Sequence, residues 1–245
     1  MSKYNNYAEF LESLYKMSNE ELKELYKLLK KNKDKVSQKI ADILYKYTIN
    51  DGVMDIKKVE RVKLYRELSE TITTTTNAVG VAEVALTEKV LEIIVQDTFK
   101  FWNYNINYED VRNIIKKNFK GKHFSDRVWE NEEEVAKRLH KLTHDFLDGK
   151  INVNQIKRDL EKIFNADAYN VKRLVETEVS RCSTQAFERF AKETGVKKVR
   201  RNEILDGKTC DECKSHDGEE WDFADPNRPS LPEHPLCRGF WDIVE

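Results

Sequence analysis

The stretch "NADAYNVKRLVETEVSRCSTQAFERFAKETG" (165–195) runs directly into "VKKVRRNEI" (196–204), and the change of pattern between them decides the fold. The first carries its apolar residues as one long helix does and closes on Gly195. The second alternates apolar and charged residues, as a half-exposed strand does. Before Gly195 the chain reads as helix; after it, as short strands and turns.

Upstream, Ser18 followed by Glu21 has the form of a capping box. From there Leu22, Leu25, Leu29, Val36, Ile40, Ile43 and Tyr47 keep to one side of a long helix, which "INDGVMD" (49–55) breaks. A second pattern through Ile56, Val59, Val62, Leu64 and Leu68 meets "TITTTTN" (71–77), where the low helix propensity of four successive threonines predicts a break or strained turn. A third helix is expected through Val81, Val84, Val90, Ile94 and Phe99, entering the aromatic stretch "FKFWNYNINY" (99–108). Shorter helices are expected over Glu109–Phe119, through Val135, Leu139, Leu142 and Phe146 to Gly149, and over "INVNQIKRDLEKIF" (151–164).

Downstream, "DGKTCDEC" (206–213) is turn chemistry, "GEEWDF" (218–223) a second short strand and "GFWDIV" (239–244) a third. "DPNRPSLPEHP" (225–235) holds all four prolines. Each proline removes an amide donor and fixes φ, so this arm should be extended and outside the sheet. The expected fold is mainly α, an elongated helical body ending in a small C-terminal β-rich knob, hence α+β overall. Three regions follow: long helices over 1–105, a helical core over 106–195, and a Cys/His/Pro knob over 196–245.

Composition narrows the function. Of the 245 residues, 36% are charged and 39% hydrophobic, which suits helices with one apolar stripe and solvated remaining faces. A net charge of −1 argues against wholesale nucleic-acid binding, although not against local patches. No apolar run approaches a bilayer's thickness, and "MSKYNNYAEF" has no signal-peptide core, so a cytoplasmic product with no membrane role is expected. In a reducing compartment closely spaced cysteines point to metal or redox chemistry rather than to disulfides.

A knob this small needs a staple. Cys210-x-x-Cys213 and His234-x-x-Cys237 form two pairs separated by a loop, which can close tetrahedrally around Zn²⁺. Three thiolates and one imidazole would fill every position, making the metal structural. His216, close after Cys213, competes for the fourth place. Two alternatives stay open: a reduced hairpin with its thiols buried as small hydrophobes, and a redox CxxC, which here lacks the usual strand-then-helix setting.

"DGKTCDECKSHDGEEW" (206–221), the proline arm and "PEHPLCRG" (232–239) resemble the C-terminal motif of phage head-morphogenesis proteins, the Mu F-like minor head family. "FSDRVWENEEEVAKRLHKLTHDFLDGKINVNQIKRDLEKIF" (124–164) is similar to that family's central segment, with Trp129, Leu139, Gly149 and Ile156 in matching places. The long helix that follows resembles the one bearing the family's Arg-x-x-x-Glu or Thr-Glu signature, here Arg173, Thr177 and Glu178. The likeness covers the chain from Phe124 onward and is most specific in its last forty residues. It departs at Cys237-Arg238-Gly239, where family members commonly read Cys-Arg-Cys; His234 then carries more of the zinc site. The resemblance implies a minor component of a tailed-phage or prophage head, present in few copies. Such a protein binds portal and major capsid or scaffold proteins during head assembly or DNA delivery. It would occupy the host cytoplasm first, then the head interior or portal vertex.

Other constellations are weaker. Arg112, Lys116, Lys117, Lys120, Lys122 and His123 form a basic run flanked by Trp102, Tyr104, Tyr108, Phe119 and Phe124. Such a run can grip DNA phosphates and stack bases, or be simply a solvated face beside core aromatics. His140 and His144 share a helix face, but Lys141 stands where a metalloprotease needs its glutamate. Glu176 and Glu178 point about 200° apart on a helix and cannot share a substrate. Together with Arg173 and Thr177 they read as a structural network fixing helix to knob. No phosphate loop or nucleophile elbow is visible, so neither an enzyme nor a small-molecule substrate is expected. The rival readings are a zinc-knob DNA-binding regulator and a carrier module related to phage-delivered effectors; against the carrier, five residues follow Phe240.

Overall fold

The computed structural model describes residues 6–47, 49–50, 52–207 and 209–244. Its elements, in order, are α1 (Tyr7–Lys46), β1 (Ile49–Asn50), β2 (Val53–Met54), α2 (Lys58–Phe101), α3 (Tyr108–Ile115), α4 (Phe124–Leu147), α5 (Val153–Thr194), β3 (Lys198–Asn202), α6 (Asp211–His216), β4 (Glu220–Asp222) and β5 (Phe240–Ile243). The fold is mainly α with a small β knob near the C-terminus, as the change at Gly195 predicts. Gly195 itself has φ +75°, and Val196 N–H reaches back to the Ala191 carbonyl at 3.0 Å, a left-handed helix stop that a side chain would strain.

Three expectations about helix boundaries are corrected. Ser18 does not start a helix: it lies inside α1, completely buried, and its hydroxyl donates to the Tyr15 carbonyl at 2.9 Å. The threonine run does not break α2, which continues through it. The hydroxyls of Thr71, Thr75 and Thr76 donate to the carbonyls of Glu67, Thr71 and Ile72, so they bond within the helix rather than compete with it. Thr75 and Thr76 are also buried, and packing outweighs a propensity deficit of a few tenths of a kcal/mol per residue. The segment 151–164 is no separate helix: α5 runs unbroken from Val153, its start capped reciprocally by Asn152 and Gln155 at 2.9 Å each way.

The chain divides into two compact units, neither continuous in sequence. Described residues of 1–22, 86–124 and 172–245 form one; described residues of 23–85 and 125–171 form the other. The core of the second unit comes from apolar stripes at helical spacing: Val36, Ile40 and Ile43 of α1; Leu64, Leu68 and Ile72 of α2; Leu139 and Phe146 of α4; Ile156, Leu160 and Ile163 of α5. The short hairpin β1–β2 belongs here, and the Gly52 carbonyl accepts from Val153 N–H at the start of α5. Gly80 of α2 lets the Trp129 ring lie on its backbone; a Cβ there would come within 2.6 Å of the ring.

The second unit also buries acid. Glu83 of α2, Glu132 of α4 and Asp167 of α5 are 1%, 3% and 1% exposed. Burial pushes Glu83 up to about 8, with the Asp167 charge adding to it. Burial, then Asp167 and Glu83, push Glu132 up to about 9. Asp167 is raised to about 6 by burial, opposed by the hydrogen bond it accepts from Asn131 at 2.8 Å. Glu83 and Glu132 are therefore protonated at neutral pH.

In the first unit, β4–β3–β5 form an antiparallel sheet with register Val199↔Trp221 and Arg201↔Trp241. The sheet packs on α5 through Phe187, Ala191, Val199 and Trp241. Trp102 stacks on Phe190 with centroids 5.0 Å apart, and Tyr7 meets the Phe240 ring edge-on at 5.7 Å. The proline arm enters no strand, but it turns repeatedly rather than running extended. Asp225, Arg228 and Cys237 each donate N–H to the carbonyl three residues earlier. Arg228 holds the arm down, its guanidinium 4.8 Å from the Trp241 ring centre and 3.0 Å from Glu188 of α5.

Candidate metal centre

The donors in the C-terminal tail converge. Cys210 ends the loop after β3 and caps α6, its Sγ accepting Cys213 N–H at 3.4 Å. One helical turn then carries Cys213 to the same side, where it is buried. From the other direction the proline arm delivers His234, and a turn through Leu236 at φ +64° delivers buried Cys237. His234 Nε2 lies 3.1 Å from Cys213 Sγ and 3.4 Å from Cys210 Sγ, while Cys213 and Cys237 Sγ are 3.9 Å apart. Metal–donor bonds of about 2.0–2.3 Å in tetrahedral thiolate–imidazole sites require donor–donor edges of roughly 3.5–3.8 Å. The three distances bracket that range, so this cluster could hold a metal ion.

The histidine is set for the task. Its Nδ1 lies 2.9 Å from the Pro235 carbonyl, and a proton donated there leaves the Nε2 lone pair facing the thiols. The thiols differ. The Cys213 N–H, then the contacts with Cys213 and His234, lower the exposed Cys210. Buried Cys213 is pushed well up, by burial first and then by Cys237 and Cys210. A cation among these groups supplies the charge that ionised Cys213 otherwise lacks.

A second buried trio overlaps the first: Glu203, Cys213 and Cys237 bring donor atoms within 4.8 Å of one another. Glu203 accepts from Nε and Nη2 of Arg201 at 2.9 and 2.8 Å, and Nη2 also approaches Cys213 Sγ at 3.8 Å. The third face of this guanidinium meets Glu233 at 2.6 Å. Sequence reasoning missed Arg201 and Glu203; the signal lay in the alternation of β3, whose inward positions are Val199 and Arg201, with buried Glu203 just past the strand end.

His216 does not join the cluster. Its Nδ1 faces Glu219 Oε2 at 2.9 Å, across the α6–β4 turn. His140 and His144 are also outside any such group among the described residues. His140 Nδ1 lies 3.2 Å from Ser69 Oγ, and His144 Nδ1 lies 3.1 Å from Asp148.

Thr177 links α5 to the knob. Its hydroxyl donates to the Arg173 carbonyl at 2.6 Å and accepts Leu236 N–H at 3.0 Å, beside Cys237. Glu176 takes Lys172 and Asn19. Glu178 pairs at 2.6 Å with Arg181, whose Nη1 and Nη2 cap the Ile114 and Ile115 carbonyls at the end of α3.

The basic run emerges from α3 into a two-residue turn. Phe119 and Lys122 exchange both backbone bonds there, and Lys120 and Gly121 take positive φ. Arg112, Lys116, Lys117, Lys120 and Lys122 are exposed. Of the aromatics beside them, Trp102 and Tyr104 pack on Phe190 while Tyr108 is 59% exposed.

Among the described residues no helix is long and apolar enough to cross a membrane. Compared with known proteins, the chain matches no family model, no curated protein and no solved structure.

Proposed function

We propose that this chain works by binding rather than by catalysis, as a minor head component of a tailed phage or prophage, with its C-terminal knob held by a structural Zn²⁺. The observation that carries the proposal is that Cys210, Cys213 and His234 bring donor atoms within 4.8 Å of one another, with Cys237 Sγ 3.9 Å from Cys213 Sγ, and on these residues the resemblance to minor head proteins is most specific. Three thiolates and an imidazole suit zinc by ligand softness and leave no position for an activated water. Such an ion joins the α6 turn to the proline arm, and Thr177 ties that arm to α5. The knob thereby becomes a rigid surface presented to portal and capsid or scaffold proteins.

Two measurements test this. Metal analysis of chain purified without chelator should find one zinc per chain; no bound metal, with exposed Cys210 freely titratable, would sink the staple. Quantitative mass spectrometry of particles from cells carrying the gene should count a few copies against the portal protein. Absence from every particle would sink the head-component reading.

A further inference from the structure

The tail places a completely buried arginine beside the candidate metal ligands, and the sheet is built to hold it there. Arg201 sits at the centre of β3, its side chain 0% exposed. One edge of the guanidinium is engaged by Glu203, another by Glu233, and Nη2 points at Cys213 Sγ at 3.8 Å, within reach of a weak N–H···S bond. Glu203 is fixed in turn, because its carboxylate lies on the backbone of Gly239 and a Cβ at that position would come within 2.5 Å of Oε1. The Glu203 N–H donates to Asp217 at 2.8 Å, locking the strand end beneath the carboxylate. Burying a guanidinium with the Glu203 carboxylate, while Glu233 stays part-exposed, is expensive in desolvation, and an apolar pair would fill the same space at lower cost. The arrangement therefore has a use other than stability.

Charge identifies that use. A divalent ion bound by three thiolates and a neutral imidazole carries a net charge of −1, and Cys213 and Cys237 hold part of it out of water. We propose that Arg201 is the outer-shell positioning residue of the metal centre. It donates from Nη2 to the Cys213 thiolate, while Glu203 and Gly239 set its angle. Glu203 is thereby a partner of Arg201 and not a fourth ligand. This inference rests on the metal reading above and deepens it.

The test uses the full chain and Zn²⁺, with affinity measured by competition against a chromophoric chelator, and Co²⁺ as a spectroscopic probe. Arg201→Met should weaken Zn²⁺ binding about 10- to 100-fold, the range found when outer-shell partners are removed. Arg201→Lys, which keeps the charge but not the fork, should fall between. In the Co²⁺ form of the methionine variant, the thiolate-to-metal charge-transfer band should move to longer wavelength, since a thiolate that loses a hydrogen bond gives up its electrons more easily. A change of packing alone would not move that band. Gly239→Ala leaves the arginine in place but displaces Glu203, and it covers the case in which Arg201→Met fails to fold; a several-fold loss of affinity is expected. Folded variants that bind Zn²⁺ within threefold of wild type with an unshifted band would overturn the role of Arg201. Wild-type chain that binds no Zn²⁺ would instead overturn the metal reading itself.

Discussion

Replacing Glu132 by glutamine should stabilise the unit built from 23–85 and 125–171, and the gain should depend on pH in a defined direction. Glu132 is held at about 9 in the folded chain against an ordinary 4.5. A carboxyl raised in this way contributes most below its unfolded value and loses stability as pH climbs toward the folded one. Keeping its proton at pH 7 costs about 3 kcal/mol, at roughly 1.4 kcal/mol per pH interval. Glutamine has the same shape and needs no proton; one amide N–H can replace the hydrogen bond between protonated Glu132 and Asp167, but the second must find another acceptor. Allowing about 1 kcal/mol for that mismatch leaves a net gain of about 2 kcal/mol at pH 7. Urea unfolding at pH 4.5, 6, 7 and 8, followed by Trp129 fluorescence, reads the difference where it arises. Glu132→Gln should be slightly less stable than wild type at pH 4.5, break even at about pH 5 and gain steadily toward pH 8. An advantage that stays constant across this range, or a variant less stable than wild type at pH 8, would refute the protonated buried carboxyl.

Three further outcomes follow from single contacts. Thr177→Val keeps volume but leaves Leu236 N–H without its acceptor, so it should cost about 1–3 kcal/mol and speed zinc loss to chelator; an unchanged release rate would mean that the tie to α5 does not support the site. Gly80→Ala drives a methyl into the Trp129 ring, so it should cost about 1–3 kcal/mol and change the near-ultraviolet dichroism of that tryptophan. Arg181→Met strands the buried Glu178 and uncaps two carbonyls of α3, so a loss of about 3–5 kcal/mol is expected in thermal unfolding.

The helical character and the passage from helix to sheet at Gly195 could be read from periodicity, because both are local. The errors came where tertiary contacts overrule local preference. Four threonines look like a break when each is counted for propensity. In the folded chain, buried Asn32 donates to the Thr75 carbonyl at 3.0 Å and the hydroxyls of Thr75 and Thr76 are satisfied within α2, so these two pack inward while Thr73 and Thr74 face solvent on the same helix. The capping box at Ser18 fails similarly: a serine hydroxyl can bond backward within a helix as well as forward to open one. The acidic trio was invisible for another reason. Glu83, Glu132 and Asp167 each lie on the buried stripe of their own helix, between Val79 and Val90, Val128 and Val135, and Ile163 and Val171, but the rule that acids face water hides them.

The metal centre divides along the same line. Cys210, Cys213, His234 and Cys237 could be found because ligand types at short spacing are a chemical signal that survives an intervening loop, whatever path the proline arm takes. Arg201 and Glu203 could not, although the strand that carries them was expected. In "VKKVRRNEI" the rule that charged residues face water assigns Arg201 and Glu203 to the solvent side. The period-2 pleat puts them on the same face as Val199, against the thiols. Periodicity fixes which residues share a face, whereas composition only suggests which face is wet. A strand whose inward positions read Val and Arg, with a buried Glu just past its end, follows the first rule and breaks the second. The charge it brings inside is met by Glu203 and Glu233, and Nη2 still reaches Cys213 Sγ. Three thiols and an imidazole, with a guanidinium held beside Cys213, sit at the edge of a core that Phe187, Ala191, Val199, Leu231 and Trp241 otherwise fill.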